Sequence, residues 1–147
     1  MKDENSFNRW FSQQLNKIPY IFANKFSDKY KRGVPDFIIM GNGTCIAIET
    51  KFCPALPERS TTSLLSHGFS PEQVNFGRSM ISTGNNMYGL IYCDQEKSMY
   101  LIPWEGIQKY RKPSRAELFS ITGIREFKKN PSGVELLIQY ILRMGHD

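Results

Sequence analysis

Asp36, introduced by Pro35, and the triplet Glu49-Thr50-Lys51 offer two carboxylates and an ammonium on a single short stretch of chain. Between them lies Asn42-Gly43, a dipeptide that accepts positive φ at both positions and so favours a two-residue hairpin turn. In the antiparallel register such a turn sets, Met40 faces Cys45, Ile38 faces Ala47 and Asp36 faces Glu49, with Lys51 two residues further along the same face. Phe37, Ile39, Ile46, Ile48 and Phe52 make up the other face. Two carboxylates opposed in a sheet repel, and apolar neighbours make them harder to keep ionised. A hard divalent cation bound through oxygen resolves that conflict, and a cation held by few carboxylates keeps positions open for water and a phosphate group. Lys51 would orient the attacking water or offset charge on the phosphate. Thr50 turns its side chain away and leaves its carbonyl beside the same edge. The plain alternative is an ordinary hairpin with a surface ion pair.

This constellation resembles the PD-(D/E)xK nuclease superfamily. The residues that carry the resemblance are Asp36, Glu49 and Lys51, set in a Gly33-Val34-Pro35-Asp36 entry to an apolar strand, a tight turn and a second apolar strand. Up to about Trp104 the chain is similar to the small Holliday-junction resolvases of archaeal and RecU type, and to the phage and VRR-type nucleases that share their core. The resemblance implies an acidic residue on the first helix, matched by Glu4, and a glutamine on the helix after the catalytic strands, matched by Gln73. It implies Mg2+, with Mn2+ as a substitute, held by Asp36, Glu49, Glu4 and the Thr50 carbonyl. It also implies endonucleolytic hydrolysis of DNA, branched DNA above all, leaving 5′-phosphates.

Two other readings stand beside a junction resolvase. One is a general or nicking endonuclease acting on linear or single-stranded DNA. The other is a non-catalytic nucleic-acid binder on a nuclease fold, against which an intact Asp36, Glu49 and Lys51 argue. Since a four-way junction is resolved by two symmetric cuts, the resolvase reading also calls for a homodimer. Met99, Tyr100, Trp104 and the final helix are its candidate surface, unless they complete the monomer's own core.

Glu4 shares a stripe with Phe7, Phe11, Leu15 and Ile18 at steps of three and four, so it lies on the apolar side of its helix. An acid in a first helical turn also complements the helix dipole without any further role. Gln73 closes the capping box Ser70-Pro71-Glu72-Gln73, which by itself accounts for a glutamine there. His67 and His146 lack partners at metal-ligand or triad spacing and read as loop and tail residues.

The 147 residues, 40% hydrophobic and 13% aromatic, exclude a disordered tail and fit one domain, 1–147. A net charge of +5 suits an anionic partner. Lys25, Lys29, Tyr30, Lys31 and Arg32, just upstream of Asp36, combine phosphate-binding cations with a stacking ring and form the expected DNA-binding loop. A second group, Lys109, Arg111, Lys112 and Arg115, reads as solvated surface as readily as binding surface. Cys45, Cys53 and Cys93 show no paired spacing, which suits a reducing cytoplasm, and no apolar run is long enough for a membrane span.

The elements that must position these residues follow from periodicity and punctuation. A helix is expected over 4–17, ending before Pro19, then a strand over 20–26, the basic loop 28–33 and the catalytic hairpin. The segment 52–69 has no period and reads as a long loop of the kind that tends to be functional or mobile. A helix over 71–83 stops at Gly84. Strands over 87–93 and 99–102 follow, then a short helix to 110, a helix near 122–127 and a last helix over 131–144. The expected class is α/β: a restriction-endonuclease-like αβββαβ core whose mixed sheet is flanked by helices, with an extra strand and a C-terminal helical extension.

Overall fold

A computed structural model describes residues 1–26 and 33–144. Helix α1, Glu4–Leu15, begins where the Asp3 carboxylate accepts the Ser6 N–H at 2.9 Å, and it buries Phe7, Phe11 and Leu15 along one stripe. Strands β1 (Phe22–Lys25), β2 (Phe37–Gly41) and β3 (Thr44–Cys53) form an antiparallel meander. Asn42 and Gly43 turn between β2 and β3 at φ 50° and 70°, which sets Gly41 against Thr44, Met40 against Cys45 and Ile38 against Ala47. This is the expected register.

From β3 the chain crosses over through a loop and helix α2, Pro71–Ser82, into β4, Asn86–Cys93, which runs parallel to β3. Then come β5 (Ser98–Pro103), α3 (Trp104–Lys109), α4 (Arg115–Ser120), β6 (Arg125–Lys128) and α5 (Pro131–Ile141). The six strands lie in the order β1-β2-β3-β4-β5-β6, parallel only between β3 and β4.

Each face of the sheet carries its own apolar layer. On one, α1 and α5 pack Phe7, Phe11, Leu137 and Ile141 over Phe37, Ile39, Ile46, Ile48 and Tyr92, with Phe7 stacked on Tyr92 at 4.7 Å. On the other, Phe69, Val74, Trp104, Ile107 and Leu118 cover Ala47, Met87, Ile91 and Ile102. Strand β4 is buried on both sides, hence its nearly unbroken apolar sequence.

Four expectations need correction. The region near 122–127 is not a helix: α4 precedes it, and β6 adds a short edge strand to β5. Phe52 and Cys53 belong to β3 rather than to the loop, and the last helix stops at Ile141. Met99, Tyr100 and Trp104 are buried, as are Val134, Leu137, Ile138 and Ile141 of α5, so this surface completes the monomer's core and does not offer itself for self-association.

Candidate active site

Gly33 opens the approach to the site at φ +83°, where a side-chain carbon would stand 2.6 Å from the Glu72 carbonyl oxygen at the start of α2. Asp36, one residue ahead of β2, is then fixed from β3. Its Oδ2 accepts the Thr50 N–H at 2.9 Å and lies 2.9 Å from the Thr50 hydroxyl. That hydroxyl is shared with Asn8 Oδ1 of α1 at 2.6 Å, so the first helix and β3 are tied through one buried group. Thr50 and Phe52 therefore face the α1 layer. Glu49 and Lys51 face the other side.

Glu49 is 4% exposed, and its Oε1 has no hydrogen-bond partner among the described residues. Its other oxygen is 3.7 Å from Lys51 Nζ, and the Asp36 carboxylate stands close enough to act on it electrostatically. Burial, and after it the charge of Asp36, pushes the Glu49 carboxyl up to about 9 against the pull of Lys51. Burial and the Asp36 charge also raise Glu4, which Lys51 draws the other way.

Phe69 is seated on the neighbouring strand β4. Glu49 pairs in the sheet with Gly89, and a side-chain carbon on Gly89 would come within 2.7 Å of the Phe69 ring. The missing side chain makes room for the phenyl group, and Lys51 Nζ stands 5.5 Å from the ring centroid. Beside it opens a cleft of about 280 Å³ lined by Glu4, Lys51, Phe52, Leu65, Ser66 and His67.

Of the expected residues, Asp36, Glu49, Thr50 and Lys51 meet at one point, and Glu4 lines the adjoining cleft. Among the described residues, no three His, Cys, Asp or Glu side chains gather closely enough to enclose a metal ion. The acidic site is a carboxyl pair with a third acid within electrostatic reach. Gln73 Oε1 accepts the Ser70 N–H at 2.8 Å, so the capping box accounts for that oxygen. Lys25 is exposed on β1, whereas Lys29, Tyr30, Lys31 and Arg32 lie outside the described residues.

Sequence reasoning missed Asn8, Ser66, His67, Phe69 and Gly89. Two of these had signals: Asn8 is one turn from Glu4 on the same helix face, and a glycine within an apolar strand marks a close approach. His67 had none, because its place depends on how a long loop folds back.

The chain's overall arrangement has a known counterpart. It is similar to the solved structure of Hjc from Archaeoglobus fulgidus, a Holliday junction resolvase from an archaeal hyperthermophile, with a TM-score of 0.53 over 90% of this chain and 92% of that one. The fold is restriction-endonuclease-like. Sequence identity between the two is 16%, so the likeness is one of fold. No family model and no curated protein matches the chain.

Proposed function

We propose that this chain is a Mg2+-dependent endodeoxyribonuclease that hydrolyses phosphodiester bonds in branched DNA, as a Holliday-junction resolvase does. The observation that carries the reading is the Glu49 carboxyl, buried beside Asp36 with one oxygen that has no donor among the described residues. An acid in such a place costs stability unless something binds it, and two carboxyls side by side suit a cation. The available donors are carboxyl and carbonyl oxygens, which fits Mg2+ with Mn2+ as substitute. Asp36, Glu49 and the Thr50 carbonyl are the residues to hold it, with Glu4 adding its charge from the adjoining cleft. When bound, the cation supplies Lewis acidity that lowers the pKa of water and polarises a phosphoryl oxygen.

The protein's own groups do the rest. Thr50 and Asn8 fix the Asp36 carboxylate, the Phe69 ring flanks the Lys51 ammonium, and Lys51 orients the attacking water or steadies charge building on the phosphate. Gln73 joins the site through its amide nitrogen, and Lys25 with the loop 29–32 meets the DNA backbone. The similarity to a protein named as a Holliday junction resolvase supports a DNA substrate, as does the net charge of +5.

The test is incubation with Mg2+ and a panel of four-way junction, flap, linear duplex, single strand and RNA. Preferential incision of the junction, leaving 5′-phosphates, is expected. Equal cutting of linear duplex would replace the resolvase with a general endonuclease, and an inert protein across the panel in Mg2+ and Mn2+ would remove the enzyme.

A further inference from the structure

The segment between β3 and α2 is fastened along much of its length to the stretch joining α3 to α4. Leu64 N–H donates to the Pro113 carbonyl at 3.1 Å and Phe69 N–H to the Arg111 carbonyl at 2.7 Å. In return, Arg115 N–H reaches the Thr62 carbonyl at 3.3 Å and Ala116 N–H the Ser60 carbonyl at 2.9 Å, with Ser63 and Ser114 paired as a β-bridge. Leu64, Leu65 and Phe69 anchor the segment from beneath. Gly68 sits so close to the Arg111 carbonyl that no side chain fits between them.

Two consequences follow for the cleft. Its wall, Leu65, Ser66 and His67, is held by main-chain bonds, and Arg111 and Lys112 are held directly beside that wall. The neighbouring cations are otherwise engaged: Arg115 donates to the Pro57 carbonyl at 2.9 Å, and Lys109 lies over the Tyr110 ring. Arg111 and Lys112 are exposed, and neither has an acidic partner among the described residues.

We propose that Arg111 and Lys112, together with Ser66 and His67 of the cleft wall, form a rim that binds the phosphate backbone of DNA as it enters the cleft. This rests on the nuclease reading of Asp36, Glu49 and Lys51. The rim supplies cations and hydrogen-bond donors without a base-reading element, so its contribution is sequence-independent and salt-sensitive.

The experiment is equilibrium binding of a four-way junction in Ca2+ over a range of salt, with parallel cleavage assays in Mg2+. Arg111→Ala/Lys112→Ala is compared with wild type and with Lys17→Ala/Arg143→Ala. The control pair removes the same charge beyond the far end of α1 and near the start of β3. The rim variant should bind about tenfold or more weakly, with the slope of log affinity against log salt reduced by about two, while the control keeps the wild-type slope. Circular dichroism checks that the exposed substitutions leave the fold intact. An unchanged slope in the rim variant, or an equal loss in the control, overturns the rim while a wild type that still cleaves keeps the nuclease reading. A wild type that neither binds nor cuts the junction overturns both.

Discussion

A carboxyl that is buried beside the charge of a second carboxylate keeps its proton through neutral pH, and Glu49, with one oxygen lacking a donor among the described residues, is in that position. Its proton affinity rises from the ordinary 4.5 to about 9 on folding, so between those values the folded metal-free protein holds a proton that the unfolded chain gives up. The stability it contributes is full below pH 4.5 and is lost as pH rises toward 9. Glutamine mimics the protonated form and escapes that loss. In chelator, Glu49→Gln should match wild type at about pH 4 and exceed it by on the order of 3 kcal/mol at about pH 8, measured by denaturant or thermal unfolding. A difference that does not grow with pH would mean the carboxyl is not desolvated as described. Excess Mg2+ should then raise the wild-type melting temperature more than that of Glu49→Gln, because only the wild type gains a second anionic ligand.

The elements that hold this site differ in how legible they were in the sequence. The β2–β3 hairpin could be read because Asn42-Gly43 fixes its turn locally, and one turn determines which side chains share a face. Strand β6 could not, since an edge strand of four residues with three exposed carries no apolar alternation. The seat of Phe69 and the fastened loop also escaped, because they depend on contacts between Gly89 and Phe69 and between Arg111 and Phe69 that no local pattern encodes. That distinction can be tested with two glycines. Gly89→Ala should displace Phe69, cost about 1–3 kcal/mol and impair cleavage, since Gly89 pairs with Glu49 in the sheet and the ring lies by Lys51. Gly43→Ala meets no neighbour and should cost about 1–2 kcal/mol for its left-handed backbone, with the site left intact. Equal catalytic loss in both would deny Gly89 its special place.

At the scale of the whole molecule, the sheet divides two apolar layers and brings α1, the hairpin and the fastened loop together around the cleft. Among the described residues no helix is long and apolar enough to cross a membrane. Resolving a junction takes two opposed cuts, and the chain offers one Asp36-Glu49-Lys51 group, so the proposed activity calls for a homodimer. Since Met99, Tyr100, Trp104 and the buried stripe of α5 are committed to the core, the contact must be made elsewhere. Light scattering of the protein on junction DNA should give two chains per junction and coupled incision; one chain with isolated nicks would favour a nicking endonuclease. The central claim is that the Asp36-Glu49-Lys51 cluster hydrolyses DNA with a divalent cation, and it is tested most directly by single-turnover cleavage of a four-way junction. Wild type should cut in Mg2+ and stop in chelator, while Asp36→Asn, Glu49→Gln and Lys51→Ala each fall by at least about 100-fold yet remain folded and bind the junction. Full activity in any one of the three, or cleavage that persists in excess chelator, would contradict the account.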